Sequence, residues 1–265
     1  MGYKIFDKFL EYDLTQSIHK SAVNLSGDEN PVHTLENIVM GAHLLSLIEI
    51  YPEIKNHFIS YIRVGFKSPV IADEKGNKIT YEMKIKKMTE SPFYNYNLEA
   101  KENGRTIMEG IVKTTDNKEI FEFETKKRLA NIANSQLDEI SDLKITPDMK
   151  KNLYCNILGM NDEDYKKYEE RYENGTIRAT MAPFFIPALI IGFLKSEIKN
   201  LDNRKKYFYG AQELEFYSDK IPIQGLKIVG KRPENLSQKS RCHIDLFVSG
   251  INGIVAKSRT SAMAI

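Results

Sequence analysis

One short stretch of this chain brings together side chains able to trade protons. Ser26-Gly27-Asp28-Glu29-Asn30-Pro31-Val32-His33 sets a carboxylate and an imidazole five positions apart. The Ser26-Gly27 turn and Pro31 bend the backbone between them, so Asp28 and His33 can face one water molecule. Such a pair suits general acid–base work, which contributes roughly 10²–10⁴-fold in rate. Asn30 is placed to hold the loop through side-chain bonds to nearby backbone. Taken singly, an Asp or a His in a polar loop caps a turn. Only the whole string argues for chemistry.

The flanking sequence supplies elements that can position the pair. Residues 3–17 read as strand and loop, and 21–33 as polar and turn-rich. Residues 38–48 are apolar nearly all round, which predicts a buried helix, ended by Tyr51-Pro52. After it the period changes to two. Strands are predicted at 59–66, 79–85, 94–99 and 106–114, with a hairpin turn at Asn103-Gly104. The charged stretch 117–174 reads as linker and peripheral helix. The second half then repeats the plan, with an apolar helix at 187–194 and strands near 211–217, 226–230, 242–248 and 253–260. Phe66 echoes Phe216, and Gly110-Ile111-Val112 echoes Gly253-Ile254-Val255. These echoes predict an internal duplication, with an N-terminal unit over 1–116, the linker over 117–174 and a C-terminal unit over 175–265.

Three segments carry a family resemblance. Asp28 to His33 resembles the Asp-x-Asn-Pro-x-His signature of the MaoC-like (R)-specific enoyl-thioester hydratases and dehydratases. Ile38-Val39-Met40-Gly41-Ala42-His43-Leu44-Leu45 resembles that family's Ile-Val-His-Gly-Met-Leu helix start. Phe66-Lys67-Ser68-Pro69-Val70 resembles its Phe-Lys-x-Pro-Val strand. The resemblance implies an α+β double hotdog: two fused units, each an antiparallel sheet wrapped around a long helix. It implies one active site per chain, since the second half lacks the motif. The activity implied is reversible hydration of a 2-enoyl thioester, or dehydration of the 3-hydroxyacyl form. Asp28 and His33 would move the protons. The Gly41 N–H, at a helix start, would stabilise the enolate oxygen, and the lack of a Cβ would let the thioester approach.

Asn30, Met40 and Ser46 fall in the substrate-binding region that the resemblance implies. Met40 stands where the family has His, and only seven residues separate His33 from Met40, a shorter overhang than typical. Glu49 stands where the family has a Ser bonded to its catalytic His, and Ser46 lies one turn earlier as a substitute. These departures leave two alternatives open. One is another hotdog reaction on thioesters, hydrolysis or a cyclisation. The other is a non-catalytic acyl-thioester binding module.

In the second half, Phe184 and Phe185 could wall an acyl tunnel between the units, with core packing as the alternative. Hydration needs no redox cofactor and no metal, and neither Cys155 nor Cys242 sits in a metal-binding spacing. Both cysteines read as thiols in a reducing compartment. His19 and His57 read as surface residues, His43 as core-facing, and His243 and Asp245 as sharing one strand face. A net charge of +2 over 265 residues argues against a nucleic-acid binder driven by bulk electrostatics. The apolar runs are too short for a bilayer, and the N-terminus has no signal-peptide core. The expectation is a soluble, cytoplasmic protein acting on an acyl-CoA or acyl carrier protein thioester, as a pseudo-dimeric monomer or a homodimer.

Overall fold

The computed structural model describes residues 3–6, 9–28, 30–86, 91–132, 137–172, 175–184, 207–230 and 241–264. The first half runs β1 (Tyr3–Ile5), β2 (Phe9–Leu14), α1 (Gln16–Ser26), a single helical turn α2 (Pro31–Thr34) and α3 (Gly41–Ser46). A 3-10 turn, Leu47–Ile50, continues α3. Four strands follow: β3 (Phe58–Phe66), β4 (Asn77–Lys86), β5 (Tyr94–Glu102) and β6 (Arg105–Thr115). Next come α4 (Lys118–Ala130), β7 (Asp138–Leu143), α5 (Pro147–Lys151) with a π-helical continuation over Asn152–Ile157, and α6 (Asp162–Arg171). They lead to β8 (Thr176–Arg178) and a 3-10 segment, Ala179–Phe184. The described elements end with β9 (Tyr207–Phe216), β10 (Lys220–Pro222), β11 (Leu226–Gly230), β12 (Arg241–Gly250) and β13 (Gly253–Ala264). The helix expected at 187–194 lies outside the described residues.

Strands form where apolar and polar residues alternate. In β4, Ile79, Tyr81 and Met83 are buried while Thr80 and Glu82 are partly exposed. Asn103 and Gly104, with φ of 49° and 80°, turn β5 into β6. Both lie in the left-handed region, as a two-residue type I′ hairpin requires. The first-half departure is α1, where 21–33 reads as turn-rich. Thr15 caps the helix start by accepting from the Ile18 N–H. Its buried face, Ile18, His19, Ala22, Val23 and Ser26, has helical spacing.

Among the described residues, eleven strands form one antiparallel sheet, ordered β1-β2-β4-β5-β6-β3-β9-β13-β12-β11-β7. At its centre β3 pairs with β9, Tyr61 opposite Glu215, Arg63 opposite Glu213 and Gly65 opposite Ala211. Outward from this pair the two sides repeat: β3-β6-β5-β4-β2, and β9-β13-β12-β11-β7. Phe66 and Phe216, each the last residue of its central strand, are counterparts. The glycine echo is not structural. Gly110 opposes Val64, whereas Ser258 opposes the corresponding Leu214, and Gly253 merely opens β13 at a turn.

The 117–174 stretch, read as linker, supplies β7, which pairs with β11 at the sheet edge. The second set of strands therefore begins before residue 175. Asp138, Glu139 and Asp142 hide this strand in the sequence, because edge strands carry charge that resists further pairing. α3 and its 3-10 extension bury Leu44, Leu45, Leu47 and Ile48 against Ile62, Val64, Tyr81 and Leu98 in one apolar cluster. Burying each such side chain stabilises by about 1.5–3 kcal/mol. Among the described residues, no helix is long and apolar enough to cross a membrane.

Candidate active site

The loop between α1 and α3 is built from backbone geometry outward. Gly27, with φ of 70°, ends α1 in the left-handed conformation. The Gly27 and Asp28 N–H groups return to the Asn24 and Val23 carbonyls, a Schellman-type close. Asp28 Oδ1 accepts from the Asn30 N–H at 2.8 Å. Asn30 Oδ1 accepts from the Val32 N–H at 3.3 Å, and the Asn30 carbonyl accepts from the His33 and Thr34 amides. Asn30 thus holds the loop as its residue type suggested. Pro31 sits at the first helical position of α2, where its missing N–H costs nothing.

This scaffold faces Asp28 Oδ2 toward His33 Nε2 at 3.8 Å. Both residues are buried, 3% and 5% exposed. His33 Nδ1–H donates to the Ile38 carbonyl at 2.5 Å. A carbonyl only accepts, so the proton sits on Nδ1, and Nε2 faces the carboxylate. Two atoms at this separation can each lie about 2.8 Å from one water oxygen. The arrangement can deprotonate water or hold a proton for delivery.

The remaining sequence candidates separate. Gly41 opens α3. A Cβ there would lie 2.5 Å from Phe66 Cζ, so the space opposite Gly41 holds an aromatic ring, not a gap for a ligand. Met40 is fully buried and its sulfur accepts from the Ser26 hydroxyl at 3.5 Å. Ser46 donates to the His43 carbonyl one turn back, at 2.6 Å. Glu49 turns away to a buried ion pair, Arg178 Nη1 to Oε2 at 3.3 Å, and accepts from the Thr180 hydroxyl. Burial pushes the Glu49 carboxyl up, while Arg178 opposes that shift. Phe184 ends the 3-10 segment, but its side chain and all of Phe185 lie outside the described residues.

Two histidines read as surface are not. His19 is fully buried on α1, donating Nε2–H to the His33 carbonyl at 3.0 Å. His57 is half-buried, with Nδ1 2.9 Å from the Thr114 hydroxyl. The signal for His19 was its place on the α1 apolar face. His43 is in the core, as read. Its Nε2–H donates to Tyr12 Oη at 3.1 Å, and burial pushes its pKa down to about 3. His243 and Asp245 do share a strand face, engaged by Ser261 and Arg259 on β13.

Among the described residues, the second unit shows no counterpart of the pair. Its π-helical turn packs against α1 and closes at Gly159, φ 75°, as α1 closes at Gly27. The next residue is Met160 where the first unit has Asp28.

No family profile matches this chain, and no curated protein sequence matches it. Solved structures do. It is similar to a MaoC-like dehydratase at 8% identity, with a TM-score of 0.58, covering 99% of this chain and 97% of that one. It is similar to an acyl-CoA thioesterase II from Mycobacterium marinum at 9% identity and TM-score 0.55, covering 99% and 95%. A protein of unknown function with a hot dog fold, from Alicyclobacillus acidocaldarius, matches at 9% identity and TM-score 0.55 over 100% and 96%. The fold and the mirrored strand order define a double-hotdog α+β protein.

Proposed function

We propose that this chain catalyses the reversible hydration of a 2-enoyl thioester to the 3-hydroxyacyl thioester, carried by CoA or an acyl carrier protein. The observation that carries this reading is the buried Asp28–His33 pair, 3.8 Å apart, with His33 held in one tautomer by Ile38. In hydration, His33 Nε2 takes a proton from water as the water oxygen bonds to C3. The C=C electron pair moves toward the thioester oxygen, giving an enolate. A proton from the Asp28–His33 pair then goes to C2, so the pair gains one proton and gives one. Near the pair, exposed Leu35 and Ile71 present apolar surface that suits an acyl chain.

Thioester hydrolysis is the second reading. The short overhang favours it, and so does likeness to a thioesterase as well as a dehydratase. An assay with crotonyl and longer enoyl thioesters separates the two. Loss of the conjugated-enoyl absorbance without thiol release marks hydration, and thiol release marks hydrolysis. Asp28→Asn and His33→Ala should each cut turnover by at least about 10²-fold in a folded protein. Near-wild-type rates in both variants would remove the assignment.

A further inference from the structure

A cavity of about 330 Å³ lies apart from Asp28 and His33, neither of which lines it. It opens where β1, α6 and the chain after α3 meet. Met160, the second-unit counterpart of Asp28, is part of its wall. Its volume is at the lower end for small-molecule pockets.

Its walls are mixed, with Tyr3, Tyr168, Tyr172, Ile5, Ile50 and Met160 forming the apolar part. The phenols stay neutral, and Tyr3 is pushed up to about 12 by burial and by Asp164. Both acids in the lining are already engaged. Glu49 is held by Arg178 and Thr180, and Asp164 accepts from Asn161 Nδ2. Two cations on the lip are not neutralised. Among the described residues, Arg171 donates only to neutral oxygens, the Lys55 and Asn56 carbonyls and Asn56 Oδ1. Lys55 also lines the cavity and has no carboxylate partner among the described residues. At the inner wall, buried Arg178 presents an Nε–H with no hydrogen-bond partner among the described residues, its nearest acid being Asp219 at 3.6 Å.

We propose that this cavity is a second small-molecule site, which takes an organic monocarboxylate with an aromatic or branched apolar body. The carboxylate lies against Arg171 and Lys55, and the body against Ile50, Met160 and the tyrosine side chains of the wall. No histidine lines the cavity, and the role assigned to it is binding alone.

The probe is 3-phenylpropanoate, titrated calorimetrically into the full chain, with phenethylammonium as the same shape carrying the opposite charge. Saturable one-to-one binding of the carboxylate and none of the ammonium is expected. Arg171→Gln and Lys55→Gln, both at the protein surface, should each weaken binding by about three- to tenfold. His33→Ala should leave the affinity unchanged. Equal binding of the ammonium, affinity indifferent to both lip variants, or loss of binding in His33→Ala would each overturn the proposal. The last result would place the probe in the Asp28–His33 site instead. No binding at all would overturn it as well.

Discussion

Gly41→Ala puts a methyl group where an aromatic ring already sits. The added methyl would sit 2.5 Å from Phe66 Cζ and 2.8 Å from Cε1 and Cε2. Contacts this short cannot persist, so the ring or α3 must shift. Overpacking a filled site costs about 1–3 kcal/mol. Against this, alanine favours a helix over glycine by at most about 1 kcal/mol. A net destabilisation of about 0–2 kcal/mol follows. In a Phe66→Leu background the ring edge is gone, and the same substitution should cost less than about 0.5 kcal/mol. The difference is a coupling of about 1 kcal/mol or more, within the range for residues in contact. Urea unfolding of the four proteins measures it. Equal costs in both backgrounds would refute the contact, and with it the account of why residue 41 is glycine.

Two further predictions concern buried charge. Arg178→Met leaves Glu49 and Asp219 without their shared cation, and removing one partner of a buried pair costs about 3–5 kcal/mol. Unfolding by urea should show it, and a loss below about 1 kcal/mol would mean the pair is hydrated. His43, depressed to about 3 by burial, binds fewer protons folded than unfolded below its ordinary value of 6.5. Stability should therefore fall as pH drops from 6.5 toward 3, with His43 contributing up to about 1.4 kcal/mol per pH unit. His43→Gln should flatten that acid limb, and an unchanged slope would show that other groups set it.

Local rules made much of the fold legible. Period-two alternation marked β4, and Asn103-Gly104 marked its own hairpin, because both signals reside in adjacent residues. α1 was missed because His19 and Ser26 dilute its apolar face, although Thr15 and Gly27 were cap signals at its ends. β7 was missed because three of its six residues are acidic. At the site, the Asp28–His33 string was readable because one loop holds it. The Glu49–Arg178 pair was not, since its partners lie far apart in sequence and meet only in the folded chain. The roles read for Gly41, Met40 and Ser46 rested on a resemblance. Their surroundings, a phenylalanine ring, the Ser26 hydroxyl and the His43 carbonyl, are packing facts that spacing does not encode.

The most direct test of the proposed chemistry is mass spectrometry of crotonyl thioester incubated with the protein in D₂O. The account predicts an intact thioester heavier by one water, with one non-exchangeable deuterium at C2, and no such product from Asp28→Asn. Free acid and free thiol with no deuterium on carbon would contradict it, and so would recovery of unchanged substrate.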